Sequence, residues 1–134
     1  MNRFEPFDRV SDYTQVPAGT YRCRVSEVRP GTTRAGDERW SLALVVVGGE
    51  HAGKLAAWDS LVFSTRGRAR ARMVLGALGL PIHGRVQIEP ADLAEREALV
   101  EVRAVVYTTP SGEQIRRNEV PHDGFRALPA GGAS

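Results

Sequence analysis

Apolar and polar side chains alternate with a period of two over several short stretches, the pattern of strands that bury one face and expose the other. Residues 20–28 set Tyr21, Cys23 and Val25 on one side and Thr20, Arg22, Arg24 and Ser26 on the other. Residues 39–47 repeat the pattern, with Trp40, Leu42, Leu44 and Val46 inward and Arg39, Ser41, Ala43 and Val45 outward. Residues 54–63 form a third extended run carrying Trp58 and Phe63. Strict alternation there groups Asp59 with Leu55, Ala57, Leu61 and Phe63, so a bulge near Asp59 or a different register is the expectation, and the facing of Trp58 stays open. Residues 98–107 are the clearest strand, with Val100, Val102, Ala104 and Val106 inward and Glu101, Arg103, Val105 and Tyr107 outward. Across the turn Thr109-Pro110-Ser111-Gly112, residues 113–120 return as its hairpin partner.

One stretch keeps a different period. Ala71, Val74, Leu75 and Leu78 fall at i, i+3, i+4 and i+7, a single apolar stripe flanked by Arg66, Arg68, Arg70 and Arg72. Ser64 or Thr65 can open a helix, Gly79 offers a left-handed stop and Pro81 forbids continuation, which predicts a helix over residues 65–78. Residues 29–37 read as a turn-rich loop, Gly48, Gly49 and Gly53 mark a second connection, and Pro90-Ala91-Asp92-Leu93 reads as one short acidic turn.

The order is therefore three strands, a helix and two strands. A mainly β fold follows, a five-stranded OB-fold-like Greek-key barrel with one α-helix between strands 3 and 4. Closure removes exposed edges, which lets such short strands suffice. Residues 1–15 form an N-terminal extension, 16–128 the domain, and the Gly/Ala-rich residues 129–134 a flexible tail.

At 134 residues, 42% hydrophobic and 25% charged, the chain suits one domain with a real core. The run from Leu42 to Val47 is far short of a membrane span, and the first ten residues lack the apolar segment of a signal peptide. Cys23 is the only cysteine, and His51, His83 and His122 share no ligand spacing with it, so neither disulfide nor zinc site is expected. Asp37, Glu38, Asp59 and Glu119 come from separate elements without metal-site spacing. No nucleophile sits beside a histidine in a recognisable pattern, and no glycine-rich phosphate loop is present, so catalysis and cofactors are not expected. A metal-dependent nuclease is the least favoured reading.

Binding has more support. The net charge is only +2, but 17 of the 18 basic residues are arginine, with Lys54 the exception. Guanidinium groups bind phosphate bidentately and stack on flat rings, although a GC-rich coding sequence produces the same bias. If the strands close, Arg22, Arg24, Arg34, Arg39, Lys54, Arg103, Arg116 and Arg117, with Trp58 and Tyr107, are the candidates for a groove that holds phosphates and stacks bases. Trp40 and Cys23 read as core.

The segments Pro17-Ala18-Gly19-Thr20-Tyr21, Thr33-Arg34-Ala35-Gly36-Asp37, Gly49-Glu50-His51-Ala52-Gly53-Lys54 and Trp58-Asp59-Ser60-Leu61-Val62-Phe63 resemble the DUF669 family of small phage and prophage proteins. Leu75-Gly76-Ala77-Leu78-Gly79-Leu80-Pro81 and Arg117-Asn118-Glu119-Val120 extend the likeness over residues 16–128. It implies similarity to OB-fold single-stranded DNA-binding proteins, a place in a replication or recombination module, and the cytoplasm of a bacterial host. The implied partners are single-stranded DNA and phage or host replication proteins, with no membrane and with self-association open. Leu93-Ala94-Glu95-Arg96-Glu97 departs from the family pattern, putting acid where a basic turn is usual. The alternative function is a protein-interaction module that docks on a replication or host protein through the barrel or the arginine-flanked helix.

Overall fold

One long strand organises the sheet. The computed structural model describes residues 10–84 and 87–129. Its elements are β1 (Val10–Asp12), β2 (Gly19–Thr32), β3 (Glu38–Val46), β4 (Leu55–Val62), α1 (Arg68–Ala77), a 3-10 turn (Pro90–Leu93), β5 (Glu97–Thr108), β6 (Gln114–Glu119) and β7 (Phe125–Arg126). Residues Gly19 to Arg24 of β2 pair with β5, and Cys23 to Thr32 pair with β3. A bulge between Val25 and Glu27 lies just past the changeover, where an extra residue bends the strand and sharpens its twist. Pro30 is tolerated because this half of β2 has a partner on one side only.

The hydrogen-bonded order is β1-β6-β5-β2-β3-β4, with β7 also on β5. Every pair is antiparallel except β1 with β6. The fold is mainly β, as expected, but among the described residues the sheet has seven strands rather than five, and no ladder joins β4 to the far end. The two additional strands span three and two residues, too short for alternation to register in the sequence.

The segment after β1 stitches across the gap instead. The Tyr13 amide donates to Arg116 O at 2.8 Å. Leu55 N donates to Gln15 Oε1 at 3.1 Å, and Asn118 Nδ2 donates to Val16 O at 2.9 Å. Residues 10–16, most of them in the expected extension, are thus hydrogen-bonded to β4 and β6. The rest of the expected extension, residues 1–9, and all but Pro129 of the expected tail lie outside the described residues.

Trp40, Leu42, Leu44 and Val46 are all buried, as their alternation predicts, and so are Ala71, Val74, Leu75 and Leu78 of the helical stripe. α1 is shorter than expected because the Ser64 hydroxyl accepts from Gly67 N at 2.9 Å, holding a turn ahead of the helix. Gly79, at φ 85°, ends it. The inward set of β5 needs correction. Val100 and Val102 are buried, yet Ala104 is exposed and Val106 is 46% exposed. Beyond Val102 the strand pairs with β6 as an arm that outruns the core, so alternation continues without a layer to cover it.

Candidate nucleic-acid interface

Register decides which cations meet. Beyond the bulge, Arg29 pairs with Ser41 and Gly31 with Arg39, so the guanidinium-bearing residues share a face. On the other side of β3, Arg39 pairs with Val62, Ser41 with Ser60 and Ala43 with Trp58, which brings the indole to the same face. Trp58 is 38% exposed, and the Arg29 guanidinium lies over its ring at 4.7 Å. Without the extra residue at the bulge, the alternation of Cys23 and Val25 would turn Arg29 inward.

These residues line a groove of about 980 Å³ that separates the β3–β4 face from β6. Arg29, Arg39 and Trp58 stand on one wall, Arg117 and Glu119 on the other, and Tyr13, 62% exposed, lies at the N-terminal segment. The Arg117 guanidinium covers the Tyr107 ring at 4.4 Å. The Tyr107 hydroxyl in turn donates to the Glu119 carboxylate, which fixes the ring under the cation.

Two carboxylates, Asp59 and Glu119, share the lining with the three arginines. Asp59 is paired with Arg70 at 2.8 Å, whereas Glu119 accepts only the neutral Tyr107 hydroxyl and keeps its negative charge beside the groove's cations. Arg29 contacts Glu27 at 2.5 Å as well as Trp58, while Arg39 and Arg117 make no ion pair among the described residues. Burial pushes the Asp59 carboxyl above its ordinary value, an effect that Arg70 reduces.

Of the ten residues expected in the site, the groove lining holds Arg39, Trp58 and Arg117, with Tyr107 stacked beneath the last. The others lie elsewhere. Arg22 is paired with Glu97 at 2.5 Å and Arg24 with Glu95 at 3.4 Å, so the carboxylates at the start of β5 and just ahead of it pair with both. Arg103 pairs with Glu101 at 3.1 Å, and Arg116 with Asp12 at 3.8 Å. Arg34 is exposed in the turn between β2 and β3, and Lys54 is exposed just before β4.

The sequence pattern alone misses Arg29 and Tyr13. It reads Arg29 as loop because Pro30 and Gly31 follow it, and Tyr13 as part of the extension. A strand that continues through Pro30 carries no local signal; only its partner β3 reveals it. Cys23 is 1% exposed, with its thiol pushed up to about 12 by burial, and is therefore no nucleophile at neutral pH. No group of three His, Cys, Asp or Glu that could hold a metal ion occurs among the described residues. No helix among them is long and apolar enough to cross a membrane.

Comparison with curated proteins returns no match. The model of the family described as "Protein of unknown function (DUF669)" matches residues 7–118, starting ahead of β1 and ending within β6, and the chain belongs to that family.

Proposed function

We propose that this protein binds single-stranded DNA without catalysis, laying the strand along the groove between β4 and β6. The observation that carries the reading is the Arg29–Trp58 stack at 4.7 Å, with Arg39 beside it and Arg117 on the facing wall. An accessible ring offers a base a π-face, and the surrounding guanidinium groups neutralise phosphates on either side of it. Stacking tolerates any base, so sequence preference is weak.

The strand order β6-β5-β2-β3-β4 with a helix between β4 and β5 supports an OB-fold-like reading, in which β1 and β7 are additions and the N-terminal segment takes the place of a closing ladder. Such a protein suits a phage or prophage replication or recombination module in the bacterial cytoplasm. Titration of a labelled oligo-dT by fluorescence anisotropy at several salt concentrations tests the function. Three or four phosphate contacts give a slope of log affinity against log salt of about −2 to −3. Absence of binding at low salt refutes it.

A further inference from the structure

A second, smaller hollow lies on the other side of α1 from the Arg70–Asp59 pair. Its volume is about 170 Å³, and its lining includes Phe63, Ala71, Leu75 and Ile82, with Arg68 and Arg72 on the rim. The two arginines sit at i and i+4, one turn apart on the same helical face as Ala71 and Leu75. Gly76 permits the tight wall: a Cβ there would come within 3.0 Å of Ile82 Cδ1.

The charge on this face is uncompensated. The first turn of α1 holds no acidic residue, although the helix dipole there favours anions over the cations present. Neither Arg68 nor Arg72 forms an ion pair among the described residues. Cations that gain nothing from the fold, set around an apolar hollow, complement a ligand that is apolar at its centre and anionic at its edges.

We propose that this hollow docks a short acidic peptide segment of a partner protein, inserting one aliphatic or aromatic side chain while carboxylates on either side pair with Arg68 and Arg72. A nucleobase fits the site poorly. Apart from the rim guanidinium groups, the lining side chains are apolar, so the ring donors and acceptors of a base would lose water without replacement. A leucine loses nothing by entering. The site is separate from the groove and does not depend on DNA binding there.

The test uses the full chain and a fluorescein-labelled peptide with one central leucine flanked by aspartates and glutamates, read by anisotropy. Saturable binding at low salt is expected, weakened about tenfold or more both by replacing the central leucine with serine and by the double variant R68E/R72E. Saturating oligo-dT leaves it unchanged. Both arginines are exposed, so the variant keeps its fold, and the serine peptide tests the wild-type chain directly. Lack of saturable binding, or equal affinity for the serine peptide, overturns the proposal. Displacement by oligo-dT together with loss of DNA binding in R68E/R72E also overturns it, assigning the face to nucleic acid.

Discussion

Arg70 of α1 reaches into the sheet and places its Nη2 2.8 Å from Asp59 Oδ2 on β4, with the two side chains only 15% and 12% exposed. The pair explains the facing of β4. Asp59 pairs across β3 with Leu42 and falls on the inner face together with Leu61, as strict alternation requires. The irregularity of β4 lies instead opposite Leu44 and Val45, next to Ala56. A carboxylate among apolar groups is held because the helix supplies its counterion. Arg70 then spends its other donors on His122 O at 2.9 Å and Ser60 O at 3.2 Å, tying the helix to β4 and to the chain beyond β6.

Replacing Arg70 by alanine is expected to destabilise the fold by about 3 kcal/mol, the low end for stripping one partner from a buried pair, since Asp59 can escape part of the cost by protonating. Urea unfolding at neutral pH measures it. A change below about 0.5 kcal/mol, typical of a surface substitution, would show that the pair is ornamental.

The same carboxylate sets a pH dependence. Burial raises its pKa in the folded chain above the ordinary 3.8, so the unfolded state ionises first as pH climbs. Stability from this group is therefore full below 3.8 and falls as pH rises through the higher folded value. Asp59→Asn is expected to flatten the decline over that window, seen as parallel melting curves in place of divergent ones. A steeper decline in the variant contradicts the assignment.

Trp58→Ala is expected to weaken oligo-dT binding about tenfold to a hundredfold, the loss of one stacked base at about 1–3 kcal/mol. Phenylalanine should restore part of it. Anisotropy titration reads both, and unchanged affinity in the alanine variant would move the strand away from this ring.

Charge reversal separates the groove from the outlying cations. Arg39→Glu and Arg117→Glu are each expected to cut affinity and to reduce the magnitude of the salt slope by about 0.7 for each phosphate the variant no longer neutralises. Arg22→Glu should change affinity less than either, because Glu97 already neutralises Arg22. The reverse ranking would place DNA on the β2–β5 side.

Gly67 is a steric requirement. Its φ of −86° suits any residue, but a Cβ would collide with the Val62 carbonyl oxygen, a backbone atom that cannot swing aside. Gly67→Ala is therefore expected to cost about 1–3 kcal/mol, the range for overpacking, or more. Gly76→Ala meets only the flexible end of Ile82 and should cost less. Thermal melts of the two variants give the comparison.

Much of the fold is legible because alternation and helical periodicity are local. Trp40, Leu42, Leu44 and Val46, Val100 with Val102, and the Ala71 to Leu78 stripe needed only their own spacing to be placed inside, whereas Ala43, on the outward phase, is buried as well. Turn residues did the same for the connections: Thr33 to Asp37 closes on itself with Thr33 N donating to Asp37 O at 2.8 Å, and Thr109 to Glu113 likewise at 2.7 Å. A local pattern fails where its neighbours run out, as at Val106, which keeps the inward phase of β5 after the covering layer has ended.

The amino-acid order alone fixed a mainly β chain, its turns, its helix and most of its core, since each depends on spacing within a few residues. Which arginines share a groove was settled by folding. Arg22 meets a carboxylate 75 positions away, Arg29 faces outward through a single inserted residue, and Arg117 is brought opposite Trp58 by the curl of the sheet. Pairing register and bulges act between distant segments, and a shift of one residue moves a side chain to the opposite face, so the charge of a surface is a property of the assembled sheet.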